Sequence, residues 1–186
     1  MAGLDDIERG HGGQSMKCLT AAECEQSVQG LGLEIEEQRL GLIKGKVPSS
    51  WELEIPDSAR RQALGVNALF RAFADDTNGW LLWVLEWGAW PDEEYPELWH
   101  EIREHHGERH PIIETPGHLF EQEEGGLARG MTRLAMLFGW SAFLIPDPAS
   151  FVVRLDARER MDLAAPAGSA IDEVAREITE LWTKPW

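Results

Sequence analysis

The sequence predicts a single α/β domain in which a mixed, mostly parallel sheet is flanked by helices and carries an antiparallel hairpin at one edge. The chain has 186 residues, of which 43% are hydrophobic and 27% are charged. This length and composition suit one globular domain that buries a core without disulfides or metals. Segments with helical periodicity alternate with strand-like segments, and helices that separate strands favour parallel crossovers. We expect residues 1–15 to form a polar tail and residues 16–186 to form the α/β domain.

The first helix is expected to begin at a capping box. The side chain of Thr20 can accept a hydrogen bond from the amide of Glu23, and the carboxylate of Glu23 can reach back to the amide of Thr20. A glycine, Gly30 or Gly32, is expected to end this helix. Residues 33–46 are ambiguous between a loop and a short irregular strand.

The middle of the chain predicts two strands separated by a helix. Apolar Trp51, Leu53 and Ile55 alternate with glutamates, which is typical of a strand with one face in water. A Pro-Asp-Ser sequence then precedes a segment whose apolar residues recur every three or four positions, which predicts a helix. The apolar run from Trp80 to Trp87 shows no alternation and predicts a central strand that is buried on both faces.

The second half of the chain predicts three helices and a hairpin. Residues 97–106 are expected to form a helix, and residues 127–138 carry an apolar stripe that predicts another. Two closely joined apolar segments within residues 140–155 predict the antiparallel edge hairpin. Ser169 and Asp172 form a second candidate capping box, at the start of the last helix.

The chain is strongly acidic, with 33 acidic and 17 basic side chains and a formal net charge of −16. A charge of this sign repels nucleic acids and anionic lipids at long range, so neither is expected as a partner. Residues 91–126, here called the acidic segment, contain eleven carboxylates, two arginines and five of the six histidines. The segment can be a solvated face that keeps the protein soluble, or a field that attracts a basic protein.

We expect the start of the acidic segment to bind that partner. Aromatic side chains surrounded by charge are common anchors at interface centres, and Trp90 is the tryptophan most expected to be exposed. Protonation of the five histidines near pH 6 should weaken such binding. The predicted partner-binding residues are Trp90, Asp92, Glu93, Glu94, Tyr95, Glu97, Glu101 and Glu104.

A ligand pocket centred on Glu86 and His118 is the main alternative. Glu86 interrupts an apolar strand near its carboxyl end, which is where α/β folds place ligand sites. His118 follows a Pro-Gly turn, and a Glu–His pair can act as general acid and base. Because no nucleophile or phosphate-binding motif accompanies the pair, we predict no catalytic residue. A structural role for Glu86, accepting backbone N–H bonds, is favoured over catalysis.

A metal site is not expected in the helix that starts the acidic segment. The sequence from His100 to His106 is similar to the HExxH pattern of zinc proteases, but Glu104 occupies the position of the second histidine. His100 with Glu104, or Glu101 with His105, could share a helical face and hold a metal, but no third ligand can be named. We therefore predict neither a metal nor a cofactor.

The cysteines and the apolar runs predict a cytoplasmic protein. Cys18 and Cys24 are the only cysteines, and a spacing of six residues within one helix is poor for a disulfide, so we expect two reduced thiols. The first fifteen residues have no apolar stretch typical of a secretory signal. The longest apolar run, Trp80–Leu85, is far too short to cross a bilayer, so no membrane partner is expected.

Three internal segments resemble those of a family of small bacterial proteins for which no activity is known. The segments are Glu86–Pro91 (EWG-x-WP), Thr115–Phe120 (PGH followed by apolar residues) and Leu137–Leu144 (FGW-x-A-x-L), together with Met16–Leu19. The resemblance covers roughly residues 16–162 and implies a single α/β domain with Met16 as the ancestral start. It carries over no functional residue.

These features together predict a non-enzymatic cytoplasmic binding protein, such as an immunity protein or inhibitor that neutralises a basic protein. The alternatives are a small enzyme or ligand-binding domain centred on Glu86 and His118, and an acidic mimic of nucleic acid. The mimic requires carboxylates in regular rows at phosphate-like intervals. The sequence leaves the partner and the oligomeric state open.

Overall fold

The computed structural model describes residues 16–36, 39–43, 48–86, 94–157 and 159–184, and the predicted tail 1–15 lies outside these residues. Five α-helices and nine strands lie within them, together with a short 3-10 helix, Gln122–Glu124. The strands are β1 (Lys17–Leu19), β2 (Leu33–Glu36), β3 (Arg39–Ile43), β4 (Pro48–Glu54), β5 (Gly79–Glu86), β6 (Gly117–Glu121), β7 (Ser141–Asp147), β8 (Val152–Asp156) and β9 (Arg160–Pro166). The helices are α1 (Ala21–Gly30), α2 (Ala59–Ala72), α3 (Glu94–His105), α4 (Gly125–Leu137) and α5 (Ile171–Thr183).

The prediction of a mostly parallel sheet is wrong. Seven strands form one sheet in the order β1-β6-β5-β7-β8-β9-β4, and every neighbouring pair in it is antiparallel. The helices do connect parallel strands, since β4 and β5 point the same way across α2, as do β6 and β7 across α4. These parallel strands are not neighbours, however. Strands β7, β8 and β9 lie between β4 and β5, and β5 lies between β6 and β7.

The predicted hairpin near residues 140–155 is present as β7 and β8, but it lies inside the sheet and not at its edge. Strand β9, which the sequence did not predict, pairs with β8 on one side and β4 on the other. The three-residue loop between β8 and β9 places Glu159 at φ 68°, a left-handed conformation that glycine usually provides. The turn therefore lacks the residue that would have predicted it.

The central strand β5 is buried on both faces, as predicted. Trp80, Leu82 and Val84 point into the main core, which helices α2, α4 and α5 cover. Leu81 points into a second core on the opposite face, together with apolar residues of α1, β2, β7 and β8. Strand β3 of the separate β2–β3 sheet also contacts β8 and β9.

The first capping box is confirmed and the second prediction is wrong. Thr20 accepts from the amide of Glu23 over 3.3 Å, and the Glu23 carboxylate accepts from the amide of Thr20 over 2.8 Å. Helix α5 begins after Ala170, which is itself in the helical region and makes no side-chain cap. The hydroxyl of Ser169 does not bond to an amide of the first turn. It is buried and has no hydrogen-bond partner among the described residues.

None of the described helices is long and apolar enough to cross a membrane. The two cysteines lie on different elements, Cys18 on β1 and Cys24 on α1, and both are free thiols. Cys18 packs against the main core and Cys24 belongs to the second core, so the sheet separates them. Burial raises the pKa of the Cys24 thiol to about 12.

Candidate functional site

Helix α3 presents a row of carboxylates to solvent. Glu97, Glu101 and Glu104 are all exposed, and their spacing of four and three residues places them on one stripe of the helix. We call these three residues the acidic stripe. His100, His105 and Leu98 flank the stripe, and Leu98 remains 47% exposed. The outward face of α3 is therefore acidic with one apolar side chain beside it.

The inward face of α3 is held by Trp99 and Arg103, both of which are buried. The Trp99 indole lies edge-on to the rings of His118 and Trp140, with centroids 5.2 and 4.7 Å away. Nη2 of Arg103 donates to the carbonyl oxygen of Thr115 over 3.2 Å and also contacts the Thr115 hydroxyl. These contacts fix α3 to the loop that precedes β6 and to β6 itself.

The arginine of α3 points away from the acidic stripe. Arg103 is the only lysine or arginine in α3, and its side chain is 0% exposed, so it points away from the stripe. Within the described part of the chain, the ion pair found for the stripe is between Glu104 and His100, over 3.6 Å. A surface pair of this kind contributes little and is screened by salt. The stripe therefore keeps most of its negative charge.

The guanidinium of Arg103 is itself incompletely paired. Its Nε and Nη1 atoms have no hydrogen-bond partner among the described residues. Burial raises the pKa of the Cys18 thiol, and the influence of the nearby Arg103 guanidinium partly offsets that rise. The pKa of Glu108 is lowered overall. Burial alone would raise it, but hydrogen bonds from His110 and the charge of Arg103 together outweigh burial.

His118 is a core residue whose ring is fixed from one side. Nε2 accepts a hydrogen bond from Nε1 of Trp99, so the neutral ring carries its proton on Nδ1. Burial, together with the charge of Arg103, lowers the pKa of His118 to about 3 even though the backbone of Leu82 and Pro116 acts in the opposite direction. A ring held neutral to this degree is poorly suited to exchange protons near pH 7.

The structure does not bring Glu86 and His118 together. His118 lies opposite Leu82 in the β5–β6 pair, whereas Glu86 is exposed at the end of β5 and lies opposite Ser141 of β7. Four residues along a strand correspond to about 13 Å. The residues that do surround His118 are Trp99 and Arg103, which the sequence did not single out as site residues.

The remaining predicted partner-binding residues are only partly described. Glu94 and Tyr95 lie in the first turn of α3, and Trp90, Asp92 and Glu93 lie outside the described residues.

The helical periodicity of α3 is the signal that could have identified its inward residues. Trp99 and Arg103 are four residues apart and share the face opposite the acidic stripe, so the arginine could have been assigned to the inward side.

The described residues contain no group of three histidine, cysteine, aspartate or glutamate side chains placed to hold a metal ion.

Comparison with family models finds no match, and neither the curated proteins nor the solved structures contain a significantly similar chain. The resemblance to a bacterial family therefore stays a prediction.

Proposed function

We propose that this chain is a non-enzymatic cytoplasmic binding protein, of the immunity-protein or inhibitor type, that neutralises a basic protein through the exposed face of α3. The observation that carries the proposal is the division of charge on this helix. Glu97, Glu101 and Glu104 face solvent, and the one arginine of the helix faces the core.

Physical chemistry supports an electrostatic role for this arrangement. A row of like charges on one helix focuses the negative potential of a chain that already carries −16. Such a field raises the rate of association with a basic surface by about 10- to 1,000-fold and makes that rate depend steeply on salt. The rigid mounting of α3 through Trp99 and Arg103 favours binding, because the carboxylates need little reordering when a partner arrives.

The apolar side chain beside the stripe supports a specific interface over mere solubility. Leu98 is 47% exposed next to Glu97 and Glu101, and interfaces combine a small apolar centre with a charged rim. The alternative of a nucleic-acid mimic needs a long regular row. The carboxylates of the acidic stripe lie at unequal intervals of about 6 and 4.5 Å along the helix axis, and this uneven spacing does not favour it.

The proposal is tested by capture from a lysate of the source cells on the immobilised chain. We expect a basic protein to be retained at low salt and released at high salt. The double variant Glu97→Lys/Glu101→Lys should lose this protein. The matched control Glu25→Lys/Asp75→Lys, which makes the same change of charge at exposed positions on α1 and after α2, should keep it. Equal capture by the wild-type chain and both variants, or capture of no basic protein, contradicts the proposal.

A further inference from the structure

Strand β4 forms an edge of the seven-stranded sheet, and its outward backbone groups can be assigned from the register. The N–H of Ile55 donates to the carbonyl oxygen of Glu159 over 2.7 Å, which continues the β4–β9 register by one hydrogen-bonded pair. Because hydrogen-bonded pairs alternate along antiparallel strands, Leu53 and Trp51 also bond to β9. The N–H and C=O groups of Ser50, Glu52 and Glu54 therefore point away from the sheet.

A groove of about 750 Å³ lies beside this edge, between the end of β4 and α5. Apolar side chains line one part of it, including Leu53, Ile55 and Trp182. Glu52, Glu54, Asp57 and Glu159 line the other part, and among the described residues of the lining Arg160 is the one basic residue. Leu53 and Trp182 are buried, so the half-buried Ile55 and Pro56 supply most of the apolar surface beside the acidic part.

Arg160 is already paired with carboxylates. Nη1 of Arg160 contacts Glu52 over 2.7 Å, and Nη2 contacts Asp156 over 3.2 Å. Glu54, Asp57 and Glu159 make no ion pair with a described residue. The acidic part of the groove therefore keeps a net negative charge directly beside the outward N–H and C=O groups of β4.

We propose that this edge binds an extended basic segment of a partner protein as an added antiparallel strand. Residues directly opposite Glu52 and Glu54 would form hydrogen-bonded pairs with them and carry lysine or arginine on the same face as the carboxylates. The alternate residues would be apolar and would lie on the opposite face, next to the half-buried Ile55. Backbone bonds would supply affinity and the two kinds of side chain would supply specificity.

A second copy of this chain is a poorer occupant for the same edge. Two β4 strands that paired with each other would bring the glutamates of both copies onto one face, and like charges opposite each other destabilise a strand pair. The net charge of −16 on each copy adds a long-range repulsion. The edge also lies five strands away from β6, or about 24 Å, so it is separate from the α3 surface.

The test uses an eight-residue peptide of alternating lysine and valine with blocked ends, followed by amide hydrogen exchange detected by NMR. On binding, the outward amides of Glu52 and Glu54 should exchange at least about tenfold more slowly, because they gain a hydrogen-bond acceptor. The amides of Trp51 and Leu53 should change little because they already donate to β9. Glu52→Lys/Glu54→Lys should weaken binding, and Glu97→Lys/Glu101→Lys on α3 should not.

Two methylated peptides separate strand addition from simple charge attraction. Methylation of the lysine backbone nitrogens removes the donors that face β4, whereas methylation of the valine nitrogens removes donors that face solvent. Only the first peptide should lose binding. Equal binding of both methylated peptides, or unchanged exchange at Glu52 and Glu54, overturns the proposal. A dimer in sedimentation that pairs through β4 and excludes the peptide overturns it as well.

Discussion

The indole N–H of Trp99 donates to Nε2 of His118 over 3.2 Å, and both rings are buried. This bond joins α3 to β6 and requires that the imidazole accept at Nε2. A protonated ring would present a donor at Nε2 to another donor, in a site that already contains the guanidinium of Arg103. The attachment of α3 to β6 through this bond therefore requires His118 to be neutral.

His118 should make the stability of the fold fall as the pH is lowered. Because the pKa is 6.5 in the unfolded chain and about 3 in the folded one, the neutral ring contributes its full stability above pH 6.5. That contribution is lost as the pH falls from 6.5 towards 3, by up to about 1.4 kcal/mol for each pH unit. Urea unfolding at several pH values, compared between wild type and His118→Gln, measures the difference in slope.

His105→Gln is the control for this slope, since it removes an exposed imidazole from the same segment. Its free energy of unfolding should follow the wild-type pH dependence between pH 6 and 4. Parallel curves for wild type and His118→Gln would show that His118 does not resist protonation in the fold. The burial of His118 also limits the pH effect on partner binding, because this histidine stays neutral near pH 6.

Arg103 should support α3 mainly through the volume of its side chain. Arg103→Ala leaves a cavity under the helix and should lower the free energy of unfolding by about 3 kcal/mol. Arg103→Met fills most of that space without a buried charge and should stay within about 1 kcal/mol of wild type, despite the lost bonds to Thr115. Chemical denaturation measures both variants. A methionine variant as unstable as the alanine variant would contradict this interpretation of Arg103.

Gly65 provides the space in which Trp182 packs against α2. A Cβ atom at this position would lie 2.5 Å from Nε1 of Trp182, which donates to the carbonyl oxygen of Arg61 over 2.8 Å. Gly65→Ala should therefore cost about 2 kcal/mol by displacing the indole. Gly130→Ala, in the interior of α4 with nothing within 4 Å of the new atom, should instead stabilise by up to about 1 kcal/mol. Thermal or urea unfolding gives both values, and effects of the same sign would refute the packing argument.

Glu159 should be replaceable by asparagine with a gain in stability. Its φ of 68° is left-handed, and side chains other than glycine and asparagine are strained there by about 1 kcal/mol. Glu159→Asn keeps the backbone carbonyl that Ile55 contacts, and we expect it to stabilise the fold by roughly half of that strain. The free energy of unfolding measures the change. Glu159→Val should have the opposite effect, and a destabilised asparagine variant would argue against strain at this turn.

Local patterns predicted the elements more successfully than the sheet. The alternation at 51–55, the apolar run of β5 and the capping box at Thr20 each depend on neighbours in sequence, and each is present in the structure. The strand order depends on which strands fill the space between two crossovers, and no local pattern specifies that. The helices α2 and α4 therefore suggested parallel neighbours, whereas β5, β7, β8 and β9 occupy the intervening positions.

The candidate site was predictable only on its outer face. Glu97, Glu101 and Glu104 follow from charge and helical spacing, and they are exposed as a surface charge run should be. The inner support was hidden because a buried arginine contradicts the usual exposure of its residue type. The β4 edge was hidden for a different reason, because β9 begins after a turn with neither glycine nor asparagine at its left-handed position.

Titration calorimetry at two salt concentrations, with the captured basic partner and either the wild-type chain or the α3 variant, measures directly whether the acidic stripe binds this partner. We predict that Glu97→Lys/Glu101→Lys weakens binding by at least about tenfold at low salt and flattens the salt dependence. The control Glu25→Lys/Asp75→Lys should stay within about twofold of wild type, because distant charges are screened. Equal losses in the two variants, or none in either, would contradict binding through the acidic stripe.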